Sequence, residues 1–263
     1  MADDHSDSIR AYYDSIATRY NQWIAPVIRP LVADLLDRSP LFPRGARTLD
    51  IGTGTGIGVA LLTERGAHAI GIDMSAGMLK QSAPNLALVQ ADLAHPPFAQ
   101  PSFDGVFASF GLNLSAPRTV FSTIGTLLRP GGWLIGLEWA AQDPLSATFD
   151  RAVAELDLIE NDPREVLFDQ AERWSNTMQD VDDYRARLAA AGFVKIEVKE
   201  EVAFIPYQLP LFTFVAYRLA WLMAPTPELV RLIAAQTASF ANVNTIVLWK
   251  PSMFKFAAQK PLS

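Results

Sequence analysis

Apolar residues in the first forty positions recur at three- and four-residue steps. Ile9, Tyr12, Tyr13, Ile16, Tyr20 and Trp23 mark an amphipathic helix. Ile28, Leu31, Val32, Leu35 and Leu36 mark a second, predicted to start near Pro30 because proline suits a first helical turn. Residues 39–45 carry two prolines and a glycine and predict a connector.

From Arg47 the rhythm changes to short apolar runs. Residues 48–51, 69–72, 86–89, 106–109 and 133–137 predict strands, with helical patterns near 57–65, 75–82 and 117–128 between most of them. Such alternation predicts a parallel sheet with right-handed crossovers. Gly66 stands where a helix should stop and Ser75 where one should start. Further on, Phe149, Val153, Leu156 and Ile159 predict a helix, as do residues 183–191, ended by Gly192. Residues 194–204 alternate as a strand, residues 207–240 form an apolar insertion with a helix start at Thr226-Pro227-Glu228, and residues 245–249 are expected as the last strand.

Composition narrows the function classes. Half of the 263 residues are hydrophobic and 19% are charged, so the chain has apolar surface to spare for a greasy cavity or for a subunit interface such as a homodimer. A net charge of −6 with no basic run argues against nucleic-acid partners, which need phosphate neutralised. No cysteine is present, and His5, His68 and His95 lack the spacing of a metal-binding pair, so no metal site is expected. The acidic first residues lead into no apolar stretch, and the greasiest run, 209–225, is broken by Arg218 and falls short of the ~20 residues a membrane span needs. A cytoplasmic protein without a membrane span is expected.

The chemistry-bearing motif follows the first strand: Asp50-Ile51-Gly52-Thr53-Gly54-Thr55-Gly56, opening a helix at Ile57. Glycines there let the backbone turn tightly and approach a ligand. The dinucleotide spacing GxGxxG fails from either Gly52 or Gly54, where Ile57 or Val59 takes the third position, and no Gly-Lys-Ser/Thr makes a P-loop. Four elements follow in order: Asp73 ending the second strand, Asp92 after the third, Ser102-Phe103-Asp104-Gly105-Val106 into the fourth, and Leu128-Arg129-Pro130-Gly131-Gly132 before the fifth. With this set, residues 8 to 205 resemble the class I S-adenosylmethionine-dependent methyltransferases, in particular their ubiquinone/menaquinone-biosynthesis-like branch.

That resemblance implies an α/β fold: a Rossmann-like, seven-stranded, mostly parallel sheet (46–206 and 241–263) with an N-terminal helical cover (1–45). The apolar insertion (207–240) between the last two strands lies outside the resemblance, and its composition predicts either a helical lid over an apolar acceptor or a packed helix or dimer contact. It implies S-adenosylmethionine as cofactor, with S-adenosylhomocysteine as product. Gly52, Gly54 and Gly56 would lie under its methionine part with Asp50 near the ammonium. Asp73 would accept from the ribose hydroxyls, Asp92 from the adenine amine, and Met74 and Leu93 would sandwich the ring. Ser109 would meet the methionine end, and Tyr12 and Tyr20 of the opening helix would close over the cofactor.

The acceptor side draws on residues outside these motifs. Glu138, at the carboxyl end of the fifth strand where α/β sheets bind ligands, is the candidate base. Asn113 and Trp139, near strand ends, and Tyr217 and Trp221, on the apolar insertion, are candidate acceptor contacts. The expected reaction is methyl transfer to O, N or C of an apolar small molecule such as a quinone-like or secondary metabolite. The alternative is a cyclase or isomerase on the same scaffold that keeps the cofactor as a charged prop.

Overall fold

The computed structural model describes residues 3–39, 42–112, 119–159, 178–203, 207–238 and 245–263. The strands are β1 (Arg47–Ile51), β2 (His68–Asp73), β3 (Leu88–Gln90), β4 (Phe103–Ser109), β5 (Leu128–Trp139), β6 (Val194–Val202), β7 (Tyr207–Pro210), β8 (Ile246–Trp249) and β9 (Ser252–Gln259). Seven of them form one sheet in the order β3-β2-β1-β4-β5-β9-β6. The first five run parallel, and β9 lies antiparallel between β5 and β6. The Rossmann-like, mostly parallel sheet implied by the motifs is therefore the observed one.

Its centre is buried on both faces, which is why strand residues are apolar in runs. In β4, Val106 and Ala108 face one core and Phe107 the other; in β5, Leu134 and Ile135 divide the same way. Helices α3 (Ile57–Glu64), α4 (Ala76–Leu79) and α5 (Val120–Leu127) follow the strands as the alternation predicts. Gly66 adopts φ +86°, a helix stop, and the Ser75 hydroxyl accepts from the Met78 amide as an N-cap. Helix α6 (Pro144–Glu155) is capped by Asp143, and α7 (Val181–Ala190) by Asp180.

Three expectations are corrected. Residues 245–249 are not the last sheet strand: β8 pairs antiparallel with β7 in a separate two-stranded ribbon, and β9 takes the sheet position. Both stretches are short and apolar, and pairing partners decide between them, which period alone does not show. Second, the N-terminal cover is one helical run, α1 (Asp3–Arg19), a π-helical segment (Tyr20–Ile24) and α2 (Ala25–Arg38). Pro26 supplies the first-turn proline, and Pro30 lies inside α2. Third, within the insertion the apolar helix α8 spans only Leu211–Leu219, followed by α9 (Pro227–Ala238), where Thr226 accepts from the Leu229 amide. Among the described residues no helix is long and apolar enough to cross a membrane.

Candidate functional site

The chain runs outward from β1 to β2 and β3, then returns to β4 on the other side of β1, opening a crevice at the carboxyl ends of β1 and β4. Gly52 turns there at φ +63°, and a Cβ on it would sit 3.2 Å from the Gly111 Cα of the loop after β4. Only glycine lets the two loops meet this closely. Above them lies a cavity of about 550 Å³.

One half of the cavity is bounded by Gly52, Gly54, Asp73, Met74, Leu93 and Ser109. The Asp73 oxygens accept backbone amides, Oδ2 from Gly54 and Oδ1 from Ser75, both at 2.8 Å. These bonds fix the carboxylate and leave lone pairs for a ligand. Burial raises the Asp73 pKa, and those amides lower it only in part.

The other half is aromatic. Trp139 stacks on Phe110 with ring centroids 4.2 Å apart, and Trp249 lies 5.9 Å from Trp139 and 5.2 Å from Tyr217. Phe110, which lines the cavity, holds φ +57°, an uncommon conformation for a bulky side chain. Burial pushes the Tyr217 hydroxyl up to about 12, so it stays protonated at neutral pH. Polar groups of this half include Gln142, Asp143, Ser146 and the Arg218–Asp150 pair, which closes at 2.7 Å.

The two covers meet over the cavity. From α1, the Tyr12 hydroxyl donates to the Trp221 carbonyl at 2.7 Å and Arg19 Nε to the Ala220 carbonyl at 2.8 Å. Tyr20 packs edge-on against Trp221 at 5.4 Å. On its other side α1 is tied to the core by Asp14, which accepts from the Ser75 hydroxyl and the Gly77 amide.

Of the residues expected in the site, Tyr20, Gly52, Gly54, Asp73, Met74, Leu93, Ser109, Glu138, Trp139, Tyr217 and Trp221 line this cavity. Asn113 lies outside the described residues. Four others do not line it. Asp50 is wholly buried beneath the glycine turn, where Thr53 Oγ1 donates to its Oδ2 at 2.5 Å, so it holds the loop from below. Gly56 opens α3 at φ +84° and packs against Leu86. Asp92 accepts from the Ala94 amide, with its neighbours Ala91 and Leu93 on the cavity wall. Tyr12 joins the covers and leaves the cavity to Tyr13.

Tyr13 was legible. Ile9, Tyr13 and Tyr20 share one helical face, at steps of four and seven, and all three line the cavity. Arg218, Asp150, Phe110 and Trp249 had no such signal, because tertiary packing brings them together. Glu138 does reach the cavity, 3% exposed, with Oε1 accepting from the Leu112 amide at 2.6 Å.

Residues 49–136 match the family model of a methyltransferase domain. That stretch, a third of the chain, is similar to a methyltransferase domain. The demethylmenaquinone methyltransferase of Renibacterium salmoninarum is 30% identical over 154 residues, 52% of this chain and 61% of that protein. The one of Beutenbergia cavernae is 34% identical over 143 residues, 50% and 58% of the two chains. The matched stretch thus spans about three fifths of these relatives. Among solved structures, Haemonchus contortus phosphoethanolamine N-methyltransferase 2 in complex with S-adenosyl-L-methionine superposes with a TM-score of 0.54 at 19% identity, over 88% of this chain and 52% of that one. The last likeness concerns the fold.

Proposed function

We propose that this protein transfers a methyl group from S-adenosylmethionine to an apolar, ring-bearing small molecule of quinone-like type. One observation carries the reading: a single cavity joins the glycine turn and Asp73 to a room walled by Trp139, Trp249, Tyr217 and Trp221.

The residues fit the cofactor. Glycines 52 and 54 leave the floor without Cβ atoms, and Asp73 presents a fixed carboxylate suited to vicinal ribose hydroxyls. Met74 and Leu93 offer flat apolar contact for an adenine. When bound, S-adenosylmethionine supplies a methyl group already activated on a sulfonium, whose charge vanishes on transfer.

The protein's task is then placement and dryness. Alignment of two bound reactants can supply ~7–11 kcal/mol of the barrier. The aromatic walls and the joined covers exclude water, which favours a step in which charge is lost. Glu138 is the side chain on this cavity that would take a proton from a neutral hydroxyl acceptor; an acceptor arriving ionised needs no base.

The decisive experiment incubates the protein with methyl-labelled S-adenosylmethionine and demethylmenaquinol, with mass spectrometry as readout. A labelled product with equimolar S-adenosylhomocysteine supports the proposal. Cofactor binding without label transfer to this or any ring-bearing acceptor would favour the non-methylating alternative.

A further inference from the structure

The acceptor half of the cavity contains one cation among the described residues, Arg218. It sits on α8, a helix otherwise apolar except for Thr213, and its side chain is only 17% exposed. A guanidinium in such a place is costly unless its donors are used. Asp150 uses one of them: Nη2 donates to both carboxylate oxygens, at 2.7 and 2.9 Å. Nε is buried and has no acceptor among the described residues. Phe149 supports the group from below, 5.4 Å from the guanidinium carbon.

The two carboxylates beside Arg218 are, by contrast, engaged. Asp143 caps α6 through Leu145 and Ser146 and accepts from Trp249 Nε1 at 2.9 Å. Asp150 holds Arg218 and the Gln142 amide. A cationic amine entering this half would meet Asp143 and Asp150 with partners already in place, whereas an oxyanion would meet a guanidinium that gives only its Nη2 to Asp150. Beside it, Tyr217 keeps its hydroxyl protonated and able to donate.

We propose that Arg218 makes this cavity selective for an aromatic acceptor bearing an anionic oxygen (phenolate, enolate or carboxylate), bound by the guanidinium with its ring against Trp139 and Trp249. The proposal rests on the methyl-transfer reading and deepens it. It assigns the substrate class to a residue outside the cofactor motifs. A planar guanidinium suits such oxygens because it offers donors in a fixed fork. Asp150 then acts as a tethered competitor that holds the guanidinium in place when no acceptor is bound.

The test uses three probes with the same ring: 1-hydroxy-2-naphthoate (anion), 1-naphthalenemethanol (neutral) and 1-naphthylmethylamine (cation). Binding is followed by tryptophan fluorescence and calorimetry, with and without S-adenosylhomocysteine. The anion should bind on the order of tenfold more tightly than the neutral probe. Arg218→Gln should abolish that difference while leaving the neutral probe and S-adenosylhomocysteine unaffected. Asp150→Asn should tighten the anion alone, by removing its competitor, an effect that a purely structural ion pair would not produce. Where Arg218→Gln fails to fold, the double variant Arg218→Gln/Asp150→Asn removes the orphaned carboxylate and keeps the comparison. A preference for the cation, no preference in the wild type, or an anion preference that survives Arg218→Gln overturns the proposal. So does Asp150→Asn leaving the anion's affinity unchanged. If S-adenosylhomocysteine does not bind, the methyl-transfer reading fails, while the preference measured without it still decides this one.

Discussion

Asp73→Asn is the substitution whose consequences the geometry defines most closely. The side chain keeps its shape, but one carboxylate oxygen becomes an amide nitrogen. Oδ1 now serves the Ser75 amide and Oδ2 the Gly54 amide, so one backbone donor must face another donor. Losing one such bond and burying the orphan costs ~1–3 kcal/mol of stability, which a thermal melt will register. The effect on cofactor is separate. Hydrogen bonds from ribose hydroxyls to a charged acceptor contribute ~1.5–3 kcal/mol each, and the variant retains one acceptor and no charge. The predicted loss in S-adenosylmethionine affinity is therefore ~1.5–3 kcal/mol, roughly 10- to 150-fold at 1.4 kcal/mol per decade. Burial raises the wild-type carboxyl, so wild-type affinity should also weaken as pH falls toward that raised pKa, while the variant stays flat. Calorimetry across pH on both proteins gives the comparison. A variant that melts earlier as predicted, yet binds S-adenosylmethionine with wild-type affinity, would refute Asp73 as the ribose acceptor.

Three further expectations concern the loop, the base and the cover. Burial moves the Asp50 carboxyl from 3.8 up to about 7, so the neutral form favours folding below about 4 and that contribution is lost as pH rises through about 7. Asp50→Asn keeps an acceptor for Thr53 and should gain stability over wild type between pH 4 and 8, by on the order of 4 kcal/mol at most; parallel denaturation curves at both pH values would contradict this. Glu138→Gln should slow turnover of a neutral hydroxyl acceptor by ~10²-fold or more and leave cofactor affinity intact; near-normal steady-state rates would confine Glu138 to holding Leu112. Trp221→Ala should weaken acceptor binding by ~2–4 kcal/mol with little effect on cofactor; unchanged acceptor affinity in a protein that melts much earlier would assign Trp221 to joining the covers.

What could be read from sequence was whatever depends on local chemistry. The glycine turn, the strand-ending Asp73, the stop at Gly66 and the cap at Ser75 are set by residues within a few positions of each other, and the fold follows from the order of strands and helices. The exchange of β8 for β9 was not legible, because Ile246–Trp249 and Ser252–Gln259 carry similar patterns and differ in partner. Pro30 misled because Pro26 already served the first turn of α2. In the site, one position of helical phase separates Tyr12 from Tyr13, and reading the face of Ile9 and Tyr20 would have corrected it. Asp50 follows a different logic: a carboxylate in a ligand motif can serve the ligand by shaping the loop from beneath. Arg218 and Asp150 stand 68 residues apart and meet only when the insertion folds back over α6, a contact that no local spacing encodes.

If one cavity holds cofactor and acceptor side by side, a crystal structure with S-adenosylhomocysteine will show it. Density is expected for the ribose at Asp73, the adenine between Met74 and Leu93, and the amino-acid part on Gly52–Gly54, with the sulfur facing the room formed by Trp139 and Tyr217. S-adenosylhomocysteine bound elsewhere, or in this cavity with its sulfur turned away from that aromatic room, would contradict it.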